Sequence, residues 1–447
     1  MKIAIMSTMP PNTYSGGRYH AWIMGECLAD RGNDVYFITN NPPIFYDDFK
    51  EYPNHHKIQL CLTKDFKVKI DKKDLDYVIL VPNQDKFDYF YVMCRNFALK
   101  MNARLVLINF ESANWFNAYS PVRRDENMWK FWKDTCVDGC LVLSSAKESM
   151  KYAREFYVDN LQYTRFDYWC PAINSRVADK IDVEKEKRII SFVRFQDRHK
   201  GGEDILGLFG EYLRGYTMVF VVGNGQIDSF YENKLEELAE QYGFTYEIKP
   251  RLSDEEKFRE IKKAQIMLFP SYFEGYGYPP IEAQYCDTLC IAYDLPVLRE
   301  ISGDGLIYCE RGSIDAMRDA LKNVIEHYEE RDLKSNVIEY GDFSIRAERI
   351  HTLLESYLED DYRNPGARYL KVVKPKKLQK PRFRKIFEKG IRSIKRIKRI
   401  KRIKHVIDKC IYQCYVVFDL MRSVIFHQER RVKNEEDYSN DTCKNGK

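Results

Sequence analysis

None of the twelve cysteines meets another at the two-residue gap of a zinc knuckle; the close pairs Cys136/Cys140, Cys286/Cys290 and Cys410/Cys414 stand four positions apart. Scattered cysteines of this kind point to buried, reduced thiols and away from a zinc site. A secretion signal is missing too. Met1-Lys2 runs straight into Ile-Ala-Ile-Met-Ser, with no charged flank, long apolar core or cleavage site, so the chain is expected to open on a strand. A reduced, cytoplasmic protein follows as the expectation. No Asp-x-Asp triplet stands at a strand end beside the glycine loop described below, and Asp74-Leu75-Asp76 enters its strand from the beginning. That is the wrong end for a ligand, so no metal site is expected.

What the chain does contain is length and aromatic content. Its 447 residues suffice for two or three domains, and 14% aromatics argue against disorder over most of them. Charge is unevenly spread. Between Arg368 and Lys404 there are 18 Lys or Arg against one acid, Glu388, a net +17; the other 54 basic and 66 acidic residues give net −12. An acidic body carries a basic tail, which the bulk net charge of +5 conceals.

The body reads as two α/β halves. Lys2 to Ser7 is a strand, Gly16 to Arg31 a helix and Asp34 to Thr39 a second strand. Later apolar runs at 77–81, 104–109 and 139–143 alternate with helical segments at 85–101 and 145–156, predicting a doubly wound parallel sheet. A break near Cys170-Pro-Ala-Ile-Asn174, followed by the charged stretch 182–188, marks the linker. The second half repeats the pattern, with strands expected at 188–193, 217–223, 245–249, 265–269 and 289–292. The boundaries read from this pattern are 1–175, 186–343, a closing helical segment at 344–360 and the tail 361–447. Two such domains face across a cleft, and ligands of open α/β sheets bind beyond the carboxyl ends of the strands, where Arg194, Gly223, Ser271 and Glu274 fall.

The run Ser271-Tyr-Phe-Glu-Gly-Tyr-Gly-Tyr-Pro-Pro-Ile-Glu-Ala-Gln284 carries the most chemistry. A strand precedes it, and Pro279-Pro280 can open a helix, since a first-turn proline loses no intrahelical hydrogen bond. Gly275 and Gly277 let backbone approach a ligand, and the N–H groups of the following helix point toward an anion. Glu274 would stand in the loop and Glu282 in the first helical turn, two acceptors around one polyhydroxylated guest such as a nucleotide sugar. The helix dipole alone also favours an acid in a first turn.

This run resembles the donor-site signature of family 4 retaining glycosyltransferases, which have the two-domain GT-B fold. The family pattern is a Glu, Gly-aromatic-Gly, an apolar residue, Pro and a second Glu followed by Ala, matched here by Glu274-Gly275-Tyr276-Gly277-Tyr278-Pro279-Pro280-Ile281-Glu282-Ala283. Downstream, Leu295-Pro-Val-Leu-Arg-Glu-Ile-Ser-Gly-Asp304 is similar to the family's next conserved stretch. Asp287 departs from it, standing where a Gly normally precedes the next strand, in a turn that would have to tolerate a left-handed Asp. The resemblance implies an α/β GT-B fold: two facing Rossmann-like doubly wound domains, here with a basic helical C-terminal tail.

The resemblance also implies roles. Arg194 and Lys200, in Phe192-Val-Arg-Phe-Gln-Asp-Arg-His-Lys-Gly-Gly202, would grip the donor diphosphate, stabilising charge where it develops; Val193 replaces the usual Gly before the Arg. Gly223 and Gly225, in Val221-Val-Gly-Asn-Gly-Gln226, resemble the loop under base and ribose, although Gly-Asn-Gly is also a good turn. Gly16 and Gly17 resemble the pair that opens the first helix toward the donor phosphate, with a plain helix start as the competing reading. With Tyr276 they complete the donor set, in which Glu274 orients the sugar and Glu282 holds the ribose hydroxyls. No cofactor is implied beyond the nucleotide-diphosphate sugar itself, whose acceptor would be a saccharide or a lipid-linked molecule. On the acceptor side the family often has a His, but Leu107-Ile-Asn-Phe-Glu111-Ser-Ala-Asn-Trp115 has none. Glu111 is open to three roles: acceptor contact, general base, or cap of the next helix. A non-catalytic scaffold and another GT-B enzyme such as an epimerase are the alternatives.

The tail lies outside the resemblance. Ile391, Ile394, Ile397, Ile400 and Ile403 recur every third residue, a spacing that winds around a helix and leaves it cationic on all sides. Ile407, Cys410, Ile411, Cys414, Phe418, Met421 and Ile425 then form one apolar face, too polar overall to span a bilayer but suited to lie on one. Residues 368–426 are expected to meet an anionic membrane surface from the cytoplasmic side. No nucleic acid is expected, and a partner-binding helix or a solvated tail stays open.

Overall fold

Short apolar runs ending in small polar residues set the frame of the body. The computed structural model describes residues 1–359 apart from 12–13, 67, 69, 71–74, 84–87, 138, 158–163 and 224–226. The tail with its membrane and partner readings, and Gly225, lie outside the described residues.

Seven parallel strands form the first sheet: β1 (Lys2–Ser7), β2 (Asp34–Thr39), β3 (Ile58–Leu62), β4 (Tyr77–Val81), β5 (Arg104–Asn109), β6 (Leu141–Ser144) and β7 (Arg165–Tyr168), in the order β3-β2-β1-β4-β5-β6-β7. Six make the second: β8 (Glu186–Phe192), β9 (Thr217–Val222), β10 (Thr245–Pro250), β11 (Ala264–Phe269), β12 (Leu289–Tyr293) and β13 (Ile307–Cys309), in the order β10-β9-β8-β11-β12-β13. Helices cover both faces, which is why central strands such as β4 and β12 are buried along their whole length and read as continuous apolar runs. The order reverses between β1 and β4 and again between β8 and β11, and each reversal opens a crevice at the carboxyl edge.

The expected central strands are present within a residue or two of their ends. Three strands were not read from the sequence: β3, β7 and β13. Ile-Gln-Leu-Cys-Leu and Arg-Phe-Asp-Tyr are mostly half-buried and mixed in polarity, and Ile-Tyr-Cys is three residues long. Each pairs on one side or near an edge, where burial imposes little apolar pattern.

The last described helix, Phe343–Glu359, packs against the first lobe. Phe343, Ala347, Ile350 and Leu354, spaced by four and three, are fully buried in one cluster with Ile3, Ile5, Trp22 and Leu28. Burial of this kind stabilises by about 1.5–3 kcal/mol per large side chain. Polar contacts fix the register: Tyr77 Oη donates to Leu354 O at 2.7 Å, and Arg346 Nε to Cys170 O at 2.7 Å.

Asp287 adopts the left-handed conformation its position requires, with φ of 53°. Its carboxylate also accepts from Leu333 N at 2.8 Å and Lys334 N at 3.0 Å, starting the helix Lys334–Gly341. A glycine could make the turn but not these bonds. The nine described cysteines are free, and all but Cys61 are buried.

Candidate functional site

The loop after β11 is shaped by what it touches. Ser271 Oγ donates to Phe273 O at 3.0 Å, and Ser145 Oγ, from the first lobe, donates to Gly275 O at 2.7 Å. A Cβ on residue 275 would overlap the carbonyl oxygen of Phe110, so the approach of this loop to the first lobe requires glycine. Tyr276 is buried and its hydroxyl donates to Pro171 O at 2.8 Å, tying the loop to the linker. The next helix, Tyr278–Tyr285, starts one residue before Pro279-Pro280. Glu282 is therefore its fifth residue, one position deeper than a start at Pro279 would place it and just past the first turn.

Arg194 and Lys200 come from the loop after β8. Val193, in place of glycine, extends the ladder by donating to Val221 O at 3.0 Å, and the turn begins at Arg194. Gly201 has φ of 63°, and a side chain there would overlap the Pro270 carbonyl. This contact presses the loop onto the end of β11 and brings Lys200 Nζ to 2.7 Å from Glu274 Oε1, both mostly buried. Arg194 is more than half exposed and pairs with Asp197 of its own loop at 3.0 Å. An exposed pair of this kind is weak and readily exchanged for another anion.

Glu282 belongs to a buried network absent from the sequence reading. Lys257 Nζ lies 2.6 Å from Glu282 Oε1 and 2.7 Å from Asp254 Oδ1. Asp254 Oδ2 accepts from Tyr19 Oη at 2.6 Å and Asn174 Nδ2 at 2.8 Å, so the network joins the two lobes. Burial works against the Lys257 charge, but Asp254 and Glu282 overcome it and hold the ammonium pKa well above its usual value. One cation serves two acids, and burial pushes the Glu282 carboxyl up despite the pull of Lys257. A sequence signal for this position existed: Ser253 and Glu256 form a capping box that starts the helix Asp254–Lys263 beyond β10, placing its first turn at the carboxyl edge.

The first lobe supplies the opposite wall. Ser15 begins the helix Gly16–Asp30 without a side-chain cap, and among the described residues the N–H groups of Gly16 and Gly17 have no partner and can meet an anion. Gly17 lies against the Phe110 ring. Glu111 Oε1 accepts from Arg124 Nη1 at 2.6 Å, and its backbone oxygen accepts from Trp129 Nε1 at 3.1 Å. Its carboxylate is thus engaged in an ion pair.

These parts enclose one cavity of about 370 Å³. Its wall includes Gly16, Gly17 and Glu111 from the first lobe and Arg194, Lys200, Gly223, Glu274, Gly275, Tyr276, Gly277 and Glu282 from the second. Every described candidate residue is brought together there. The cavity also takes in His20, His199 and Lys257, none singled out from sequence. His199 stands next to Lys200 in a quoted segment, and His20 follows Gly16 by four residues on one helix face. Burial, then the neighbouring Lys200, lowers the His199 pKa to about 4; burial alone lowers that of His20 to about 3. Among the described residues no group of three His, Cys, Asp or Glu could hold a metal ion.

Comparison with known proteins agrees with this architecture. Residues 175–341 match the family model of Glycosyl transferases group 1. A 92-residue stretch is 33% identical to the O-antigen chain mannosyltransferase RfbU of Salmonella typhimurium, covering 20% of this chain and about a quarter (24%) of that one. Sucrose-phosphate synthase from Thermosynechococcus elongatus superposes with a TM-score of 0.60 at 16% identity, over 80% of this chain and 99% of that one. Anabaena Alr3699/HepE in complex with UDP gives 0.59 at 12% identity, over 80% and 100%. The pneumococcal O-GlcNAc transferase GtfA, in complex with UDP and GlcNAc, gives 0.58 at 11%, over 80% and 99%. The two facing parallel sheets have the GT-B fold, and the match to the Glycosyl transferases group 1 model falls on the second of them.

Proposed function

We propose that this protein is a glycosyltransferase that moves a hexose from a nucleotide-diphosphate sugar to a saccharide or lipid-linked acceptor, with retention, in cell-surface polysaccharide or glycolipid synthesis. The observation that carries the reading is the convergence of Lys200, Arg194, Glu274 and Glu282 with the helix start at Gly16 around one cavity. Lys200, Arg194 and the helix N-termini meet the charge of the departing nucleoside diphosphate, so no metal is needed for that task. Glu274 takes the sugar hydroxyls and Glu282 the ribose hydroxyls. Glu111, tied to Arg124, is a poor candidate for a free base, which fits a retaining reaction in which the leaving phosphate oxygen assists the incoming hydroxyl. The curated relative is named as an O-antigen chain mannosyltransferase, which favours a polysaccharide product.

A thermal-shift panel of nucleotide sugars tests the donor reading, because a ligand of the folded cleft alone raises its stability by mass action. One donor is expected to raise the midpoint at 100 times its Kd by an amount equivalent to about 2.7 kcal/mol. Proton NMR of the sugar then released or transferred reports retention or inversion. A panel without any shift, or transfer with inversion, defeats the corresponding part of the proposal.

No described helix is long and apolar enough to cross a membrane, and the basic tail is proposed to hold the enzyme on an anionic inner leaflet. Truncation after Asp361 is expected to abolish flotation with phosphatidylserine vesicles at moderate salt. Equal flotation of truncated and full-length chains would refute the anchor.

A further inference from the structure

Of the polar groups on the cavity wall, His20 is left without a task by the donor reading. It is 3% exposed and lines the cavity, and its ring packs edge-on against Phe110 and Trp169, with centroids 5.4 Å away in both cases. Neither ring nitrogen has a hydrogen-bond partner among the described residues. Neither is sealed inside protein, so the polar edge of the ring opens on the cavity. Water reaches these nitrogens through the cavity, and a ligand that displaces it must replace the hydrogen bonds they make.

The position selects the ligand group. His20 lies one helical turn beyond Gly16, deeper than the free N–H groups at the helix start that face phosphate. Its neighbour Phe110 touches Gly17 with its ring and Gly275 with its carbonyl, so the imidazole stands where the phosphate-facing helix and the loop carrying Glu274 converge. We propose, on the donor reading above, that His20 is a sugar-contacting residue whose imidazole exchanges a hydrogen bond with a hydroxyl of the transferred hexose.

The chemistry supports a hydroxyl over a phosphate. Among the described residues no acid acts on the ring to hold it charged, and burial keeps it neutral at physiological pH. A neutral imidazole has one donor and one acceptor nitrogen, and a sugar hydroxyl both donates and accepts. A doubly charged diphosphate is better served by Lys200 and Arg194.

The test uses His20→Phe, which keeps an aromatic ring against Phe110 and Trp169, and His20→Gln, which keeps a donor and an acceptor. Affinities are measured by calorimetry for two probe pairs, UDP with UDP-glucose and GDP with GDP-mannose. In the pair that binds, His20→Phe is expected to hold the nucleoside diphosphate within about twofold of wild type while binding the nucleotide sugar about 5- to 10-fold more weakly. His20→Gln should recover part of that loss. Two results overturn the assignment: a nucleotide sugar bound by His20→Phe as tightly as by wild type, or equal losses for both members of the pair. If folded wild-type protein binds neither nucleotide sugar, the assignment falls with the donor reading, an outcome distinct from the two seen in the variant.

Discussion

Lys200→Met is expected to lower nucleotide-sugar turnover by about 10²- to 10³-fold with the fold intact. The ammonium lies 2.7 Å from Glu274, both side chains mostly buried, where a fixed charge acts with less screening than in water. Negative charge on the diphosphate grows as its bond to the sugar breaks, so loss of the cation weakens the transition state more than the bound donor. kcat should therefore fall further than KM rises. Methionine keeps the reach and packing of the side chain, and the melting midpoint serves as the control for folding. Glu274→Gln should also impair turnover. The double variant should lose less than the product of the two single losses, because removing either partner already leaves the other unpaired. Turnover of Lys200→Met within about threefold of wild type would remove Lys200 from any role in handling the diphosphate.

The second large effect is on stability. Lys257→Met leaves Asp254 and Glu282 buried without their shared cation, and a broken buried pair costs about 3–5 kcal/mol. Glu282→Gln should cost less, since Lys257 keeps Asp254 at 2.7 Å. The comparison is made by urea unfolding, with the larger midpoint loss expected for Lys257→Met. The pH dependence has a defined sign. The folded pKa of Lys257 is raised, so its contribution is complete below the unfolded value of about 10.5 and is lost as pH rises through the folded value. An alkaline fall in stability that wild type shows and Lys257→Met lacks is the signature. Equal urea midpoints for wild type and Lys257→Met would show that this network adds nothing to stability.

Much of the site was legible because its geometry is local. Glu274, Gly275 and Gly277 follow one strand, Arg194 and Lys200 another, and a parallel strand delivers its next loop to the carboxyl edge wherever it stands in the sheet. The Asp287 turn was legible for the same reason, since a left-handed Asp is a property of a few consecutive residues. Glu282, expected in the first helical turn, stands one residue deeper, because Tyr278 enters the helix ahead of the prolines.

The positions of the central strands and a glycine-bearing loop between strand and helix follow from periodicity and backbone chemistry within some ten residues, and these the amino-acid order determined by itself. The partners of each charge were decided only by the tertiary structure. Lys257 meets Glu282 across 25 positions within the second lobe, and Tyr19 meets Asp254 across 235, a contact that exists only once the two sheets face each other. His20 likewise becomes a cavity residue through the packing of Phe110 and Trp169, because burial and access depend on neighbours that are distant along the chain.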